Sequence, residues 1–167
     1  MPTASLVRPA LAVLALLSAA PAALAQPAPA RENTAALMRQ WAEDTAYAYL
    51  EAWSSSGRAA ANDVRDIYGP RVSFYGRFVD RSGLYAEKRR FARRWPVRRY
   101  EHRPGTMTVS CTVRNQACLV RSIIDWRAAA PARGAVSRGS SRFELGIGFA
   151  GPKPVVLFER GRVIDRG

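Results

Sequence analysis

The order of apolar and polar positions divides the chain into helical segments followed by strands. From Asn33 to about Ser54, the residues Leu37, Trp41, Thr45, Ala48, Tyr49, Ala52 and Trp53 recur at the spacing that puts side chains on one helix face. Ser54-Ser55-Ser56-Gly57 ends this helix. A shorter helix is predicted over Arg58 to Tyr68, with Gly69-Pro70 as its stop, since proline cannot continue a helix. Arg71 to Tyr75 then alternates, with Val72 and Phe74 on one side and Ser73 and Tyr75 on the other. Gly76-Arg77 turns the chain into a short return strand at Phe78-Val79. A third helix, capped by Ser82 and running to about Trp95, carries Leu84, Lys88, Phe91, Ala92 and Trp95 on one stripe before Pro96 stops it.

Everything after Pro96 is strand-like. Val97 to Arg103 forms one segment, and Met107, Val109, Cys111 and Val113 alternate with Thr and Ser in the next. Cys118, Val120, Ser122, Ile124 and Trp126 repeat the alternation. Pro131 to Ser137 reads as a loop, Phe143 to Phe149 as another strand, and Val155 to Phe158 with Val163-Ile164 as the last pairings. Helices followed by consecutive strands predict an α+β fold, with helices packed on one face of a curved antiparallel sheet.

The first residues follow a different pattern. One charge, Arg8, precedes the apolar run Ala10 to Leu17, then come Pro21 and Ala23-Leu24-Ala25. These are the parts of a secretory signal, and Pro21 cuts the run short of the ~20 residues a membrane span needs. Residues 1–25 are therefore expected to be a signal peptide cleaved after Ala25, giving a soluble periplasmic or secreted protein. Residues 26–32 are expected to be a flexible leader, because Pro27 and Pro29 block both helix and central strand. One domain is expected over 33–167.

Composition narrows the chemistry. Two Cys and a single His among 167 residues exclude a disulfide-dense scaffold, a zinc ribbon, an iron–sulfur cluster and a multi-His metal site, and no cofactor is expected. The 26 Lys+Arg against 13 Asp+Glu give a net charge of +13, almost all of it arginine spread along the chain. A solvated basic surface explains this charge. Export argues against intracellular nucleic acid and leaves anionic envelope polymers or lipid head groups as possible partners.

Cys111 and Cys118 flank Thr112 to Ala117, and in any symmetric hairpin register 111 faces 118, as 112 faces 117. Facing cysteines can bridge, and an oxidising compartment keeps the bond; the alternative is a pair of buried thiols. A catalytic Cys is disfavoured because nothing local lowers either thiol pKa.

Three stretches resemble the nuclear transport factor 2-like (SnoaL-like, ketosteroid isomerase-like) superfamily, and in particular its exported bacterial domains. They are Tyr49-Leu50-Glu51-Ala52-Trp53, Tyr68-Gly69-Pro70-Arg71-Val72-Ser73-Phe74-Tyr75-Gly76, and the helix ending in Phe91 and Arg94-Trp95-Pro96. The resemblance spans about 33–165 and rests on packing motifs. It implies a cone-shaped half-barrel with a pocket at its open end, in a superfamily of isomerases, dehydratases, hydrolases and non-catalytic modules, and a possible homodimer through the open sheet face.

Within such a cone, Tyr49, Trp53, Phe74, Lys88 and Trp126 are the candidate pocket residues, although core packing explains the aromatics equally well. Lys88 falls on an otherwise apolar helical stripe. If it points inward it needs a carboxylate or carbonyls nearby, with Asp80 nearest in sequence and Asp125 or Glu144 reaching it from the sheet. Otherwise its stem packs and its head snorkels to water. Asp125 is expected to face outward and pair with Arg121 or Arg127. His102 is expected to be a surface residue with a minor prospect of acid–base work. No acid and phenol can be matched to a catalytic pair, so no catalytic residue is assigned.

Three functions remain open. The first is an exported non-catalytic module that binds a small ligand or a protein partner through the pocket or the sheet face. The second is an isomerase, dehydratase or hydrolase, and the third a basic adaptor for anionic envelope polymers. A carboxylate deep in the cone within reach of a Tyr or His would favour the second, and arginines collected on one face the third.

Overall fold

The computed structural model describes residues 28–54 and 66–167, with side chains from residue 31 onward. The expected signal peptide, and the expected second helix as far as residue 65, lie outside the described residues. Two described helices, α1 (Ala28–Ser54) and α2 (Arg81–Arg94), pack on one face of a curved sheet. Its strands are β1 (Tyr68–Phe74), β2 (Arg77–Asp80), β3 (Val97–His102), β4 (Thr108–Thr112), β5 (Ala117–Ala130), β6 (Ala135–Gly148) and β7 (Val155–Arg166). The spatial order is β2-β1-β7-β6-β5-β3, with β4 also pairing β5. All pairs are antiparallel except β1 with β7, which closes one side of the sheet in parallel. This is the α+β plan expected from the order of elements, with the curved, unclosed sheet that the family resemblance implies.

Several boundaries differ from the sequence reading. Residues 28–32 of the expected leader are helical, because Pro29 sits in the first turn of α1, where its missing N–H costs no intrahelical bond. The buried face of α1 is Met38, Ala42, Ala46, Tyr49, Leu50, Ala52 and Trp53, so Tyr49, Ala52 and Trp53 fall as expected and the first turns are rotated by one position from Leu37, Trp41 and Thr45. Ala42 and Ala46 are fully buried and let the helix lie close to the sheet, while Leu37 and Trp41 flank the contact. Asp66 and Ile67 are helical and Tyr68-Gly69-Pro70 belongs to β1, so the helix expected to reach Tyr68 ends at Ile67 and Gly69-Pro70 lies in the strand that follows. Pro70 falls where the β1–β7 register shifts between Tyr68 and Ser73, so its absent N–H breaks no ladder bond there.

Asp80, not Ser82, caps α2: its carboxylate accepts from the Gly83 N–H at 2.6 Å. The β1–β2 turn is Tyr75-Gly76, both at positive φ, and Gly134 takes the left-handed position before β6. Ala135 to Ser137, expected in a loop, pair with Ala130 to Ala128 instead. Val113 starts a single 3₁₀ turn where strand was expected.

The core lies between α1, α2 and the inner face of the sheet. Tyr68, Val72, Leu84, Val120, Leu145, Ile147 and Val156 are its largest fully buried residues. On β7 a bulge at Leu157 sets the facing: Ile147 pairs with Val156 but Gly146 pairs with Phe158. Leu157 is squeezed out over Gly148, where a Cβ would come within 2.5 Å of it. Past the bulge the alternation is reversed. Cys111 and Cys118 pair in register across β4 and β5 and form a disulfide.

Candidate functional site

A cavity of about 330 Å³ opens between α1, α2 and the inner sheet face. Trp53, Phe74, Phe91, Ile124 and Phe143 give it apolar walls, and Tyr75, Arg77 and Glu87 are among the polar residues of its lining. Four of the five expected pocket residues, Tyr49, Trp53, Phe74 and Lys88, line it. Trp126 does not. It shares the inward parity of Ile124, but its ring lies over Gly139, within 2.7 Å of where a Cβ would stand, and fills the space that this glycine leaves.

Lys88 points inward from α2. Its ammonium donates to Glu159 at 3.1 and 3.2 Å and to the Tyr49 hydroxyl at 3.1 Å. It stands 3.8 Å from the Trp53 ring centroid and 4.9 Å from that of Phe74, an aromatic box that favours a cation. The Tyr68 hydroxyl donates to the second Glu159 oxygen at 2.6 Å, with the Tyr49 oxygen 3.3 Å away. The side chains of Lys88 and Glu159 are only 12% and 4% exposed, so this is a buried ion pair held by two phenols.

The expected requirement for a carboxylate beside Lys88 is met by a residue the sequence did not suggest. Asp80 is spent on capping α2, and Asp125 and Glu144 face the other side of the sheet. Strict alternation from the buried Val156 would have turned Glu159 outward, and the bulge at Leu157 turns it in. A lone acid at the end of the apolar run Val155 to Phe158 was the available signal.

Burial sets the protonation of the network. It pushes the Lys88 ammonium below the usual lysine range, and Glu159 opposes that push. Burial first and the Glu159 charge second raise Tyr49 and Tyr68 well above ordinary tyrosine, so both stay as donors. The Tyr100 phenol is pushed up to about 12, chiefly by burial, and Tyr75 is also raised. Tyr75 and Tyr100 line the cavity, and their hydroxyls have no hydrogen-bond partner among the described residues. The buried Trp53 indole N–H lacks one as well. Three polar groups that face the cavity or flank it are thus left without partners of their own.

Two buried contacts fix this geometry. Arg98 on β3 donates to the Trp53 carbonyl at 3.0 Å and the Trp95 carbonyl at 2.6 Å, tying the ends of both helices to the sheet. The Tyr100 N–H donates to the Ser54 hydroxyl at 2.8 Å, which seats Tyr100 against the end of α1.

His102 lies outside the cavity. Its Nε2–H donates to the Ala46 carbonyl at 3.2 Å and its Nδ1 accepts from Ser122 at 2.8 Å. It is a half-buried structural residue, not a surface one, and burial lowers its pKa and keeps it neutral. Asp125 faces outward as expected, but its partners are Arg103 at 2.7 Å and Ser140 at 2.6 Å, where Arg121 or Arg127 had been expected.

No protein-family profile and no curated protein matches the chain. Solved structures do match it in fold. A scytalone dehydratase candidate from Novosphingobium aromaticivorans superposes with a TM-score of 0.69 at 6% identity, over 81% of this chain and 90% of that one. An aromatic ring hydroxylase candidate from the same organism gives 0.67 at 10%, over 77% and 90%. A nuclear transport factor 2-like protein from Salmonella enterica serovar Typhimurium gives 0.65 at 8%, over 77% and 92%. The chain has the nuclear transport factor 2-like fold. At these identities the likeness extends to the fold alone.

Proposed function

We propose that this is an exported binding protein for a small, mostly apolar, ring-bearing molecule with one oxygen acceptor, held in the cavity between the helices and the sheet. The lining carries this reading: apolar rings form the walls, and the unpartnered Tyr75 and Tyr100 hydroxyls offer donors to the ligand oxygen. The volume suits a ligand of one or two rings. Structural neighbours named for a dehydratase and a ring hydroxylase support a ligand of that shape. The signal-like first 25 residues, the disulfide, and the lack of any described helix long and apolar enough to cross a membrane support export.

Titration with a bicyclic aromatic ketone such as 1-tetralone, read by quenching of tryptophan fluorescence, tests the pocket. Saturable binding should be lost in Ile124→Trp, which fills the cavity, and weakened roughly fivefold in Tyr100→Phe, which removes one hydrogen bond worth about 1 kcal/mol. Equal affinity in both folded variants, or no saturable binding to the wild type, overturns the proposal.

One observation favours a second reading, acid–base catalysis in the same cavity: Glu159 lies deep in the cone, 2.6 Å from the Tyr68 hydroxyl. Exchange of the ketone α-protons in D₂O separates the two. Exchange above the solvent rate that Glu159→Gln abolishes would establish the catalytic reading, and its absence at saturating ketone leaves binding alone.

A further inference from the structure

The outer face of the sheet carries chemistry that the cavity does not use. Directly paired residues of antiparallel strands point to the same side. Arg99 pairs with Arg127, and Arg127 pairs with Arg138, so three adjacent strands present a continuous row of arginines. One step along the sheet, Arg142 pairs with Arg162 across β6 and β7. Arg121 and Arg160 flank Glu144 on the same face, and Arg103 engages Asp125.

The acids on this face are largely spent. Glu101 holds Arg99, and Glu144 and Asp125 hold the arginines just named. Arg127, Arg138, Arg142 and Arg162 are exposed and have no acidic partner among the described residues. Like charges placed directly opposite on neighbouring strands destabilise a sheet. The rows therefore oppose folding slightly and leave guanidinium forks free for an external anion. The arginines that look scattered in sequence are gathered by strand register.

We propose that this outer face binds an extended anionic polysaccharide that runs across the strands along the Arg99–Arg127–Arg138 row. Neighbouring strands lie ~4.8 Å apart, so the row offers a donor at each strand to a chain bearing regularly repeated acidic groups. A single-stranded nucleic acid fits less well, since no exposed aromatic row accompanies the arginines for bases to stack on. A second copy of this chain is disfavoured on the same face, because it would bring unmatched arginines together. The proposal is independent of what the cavity holds.

Polygalacturonate is a suitable probe, with binding measured by calorimetry over a roughly tenfold range of salt, from about 20 to about 200 mM. The expected result is salt-sensitive binding that falls roughly tenfold or more in Arg127→Glu/Arg138→Glu and less than about twofold in Arg39→Glu/Arg90→Glu, which changes net charge equally on exposed helix positions. Circular dichroism and melting confirm that both variants fold. Equal loss in the two variants would reduce the effect to net charge and overturn the proposal. So would absent binding, tighter binding to phosphatidylglycerol vesicles or to single-stranded RNA, or a wild-type dimer that Arg127→Glu/Arg138→Glu alters.

Discussion

Replacing Lys88 by Met tests whether the buried pair is a coupled unit. The substitution keeps most of the side-chain volume among Trp53, Phe74 and Tyr49 but removes the ammonium that meets both Glu159 oxygens at 3.1 and 3.2 Å. Glu159, with its side chain 4% exposed, would keep the Tyr68 hydroxyl as a donor but lose its counter-charge. Breaking a buried pair on one side typically costs about 3–5 kcal/mol, because a charge is left in a low-dielectric site. For a domain of this size that lowers the Tm by roughly 6–20 °C. The double variant Lys88→Met/Glu159→Gln removes both charges and keeps an acceptor for Tyr68, so it should lie within about 1 kcal/mol of the wild type. Urea denaturation followed by tryptophan fluorescence gives each stability, and the four proteins form a double-mutant cycle. A single-variant loss below about 1 kcal/mol, or a double variant as unstable as the single, would refute the reasoning. If Lys88 instead served only to hold an anionic ligand, the single change would abolish binding and leave the ligand-free melting temperature nearly unchanged.

Other parts of the molecule give further expectations. Cys111→Ser/Cys118→Ser should cost about 2–3 kcal/mol through a short closed loop, measured by chemical denaturation; an unchanged midpoint would mean the register alone holds the β4–β5 hairpin. Gly139→Ala should lose about 1–3 kcal/mol, since its Cβ would stand 2.3 Å from the Asp165 carbonyl and 2.7 Å from the Trp126 ring. A neutral effect would show that this edge of the sheet yields easily. Tyr49, Tyr68, Tyr75 and Tyr100 all have raised folded pKa values, so the stability they contribute is present below pH 10 and lost as pH rises beyond it. Lys88, lowered in the fold, works in the opposite direction but is one group against four. His102 is also lowered, so its contribution is present above pH 6.5 and lost as pH falls through its folded value. Melting curves across pH should show both shoulders, and His102→Gln should flatten the acidic one only.

How much of this was legible in the sequence depended on whether a feature was local. The place of Lys88 on the buried stripe followed from helical spacing with Leu84, Phe91 and Trp95, though not the choice between an inward ammonium and one snorkelling to water, and the disulfide followed from index symmetry around Thr112 to Ala117. Both need only one element or one hairpin. The helix before Gly69-Pro70 does end at Ile67, but that Gly69-Pro70 itself lies in a strand was missed, because a helix stop and a strand irregularity use the same two residues and the β1–β7 register is needed to see it. The face of α1 was placed correctly at Tyr49, Ala52 and Trp53 but misjudged by one position in its first turns, because the large residues Leu37 and Trp41 outweigh Ala42 and Ala46 in any apolar count. In the structure the small residues take the closest approach. The arginine rows were invisible for a different reason: parity within each strand can be read, but which arginine faces which across strands requires the register.

The two faces of the sheet depend on one inserted residue. Continuing the alternation unbroken from Val156 would place Phe158, Arg160 and Arg162 inside and Glu159 outside. With the bulge at Leu157, Glu159 reaches Lys88 while Arg160 and Arg162 join the outer face. Inserting an alanine after Leu157 should therefore turn Glu159 outward and leave Lys88 without its carboxylate, an unpaired charge in a buried site. Leaving one buried charge without its partner costs about 3–5 kcal/mol, a large part of the about 5–15 kcal/mol stability of a domain, so melting well below the wild type is expected. Leu157→Ala keeps the bulge, and because Leu157 is 40% exposed it should cost only about 1–2 kcal/mol. If the insertion variant instead folded with near-native melting, the bulge would be an accommodation of the chain and not what assigns the charges to their faces, and the link between the cavity network and the outer surface would fall.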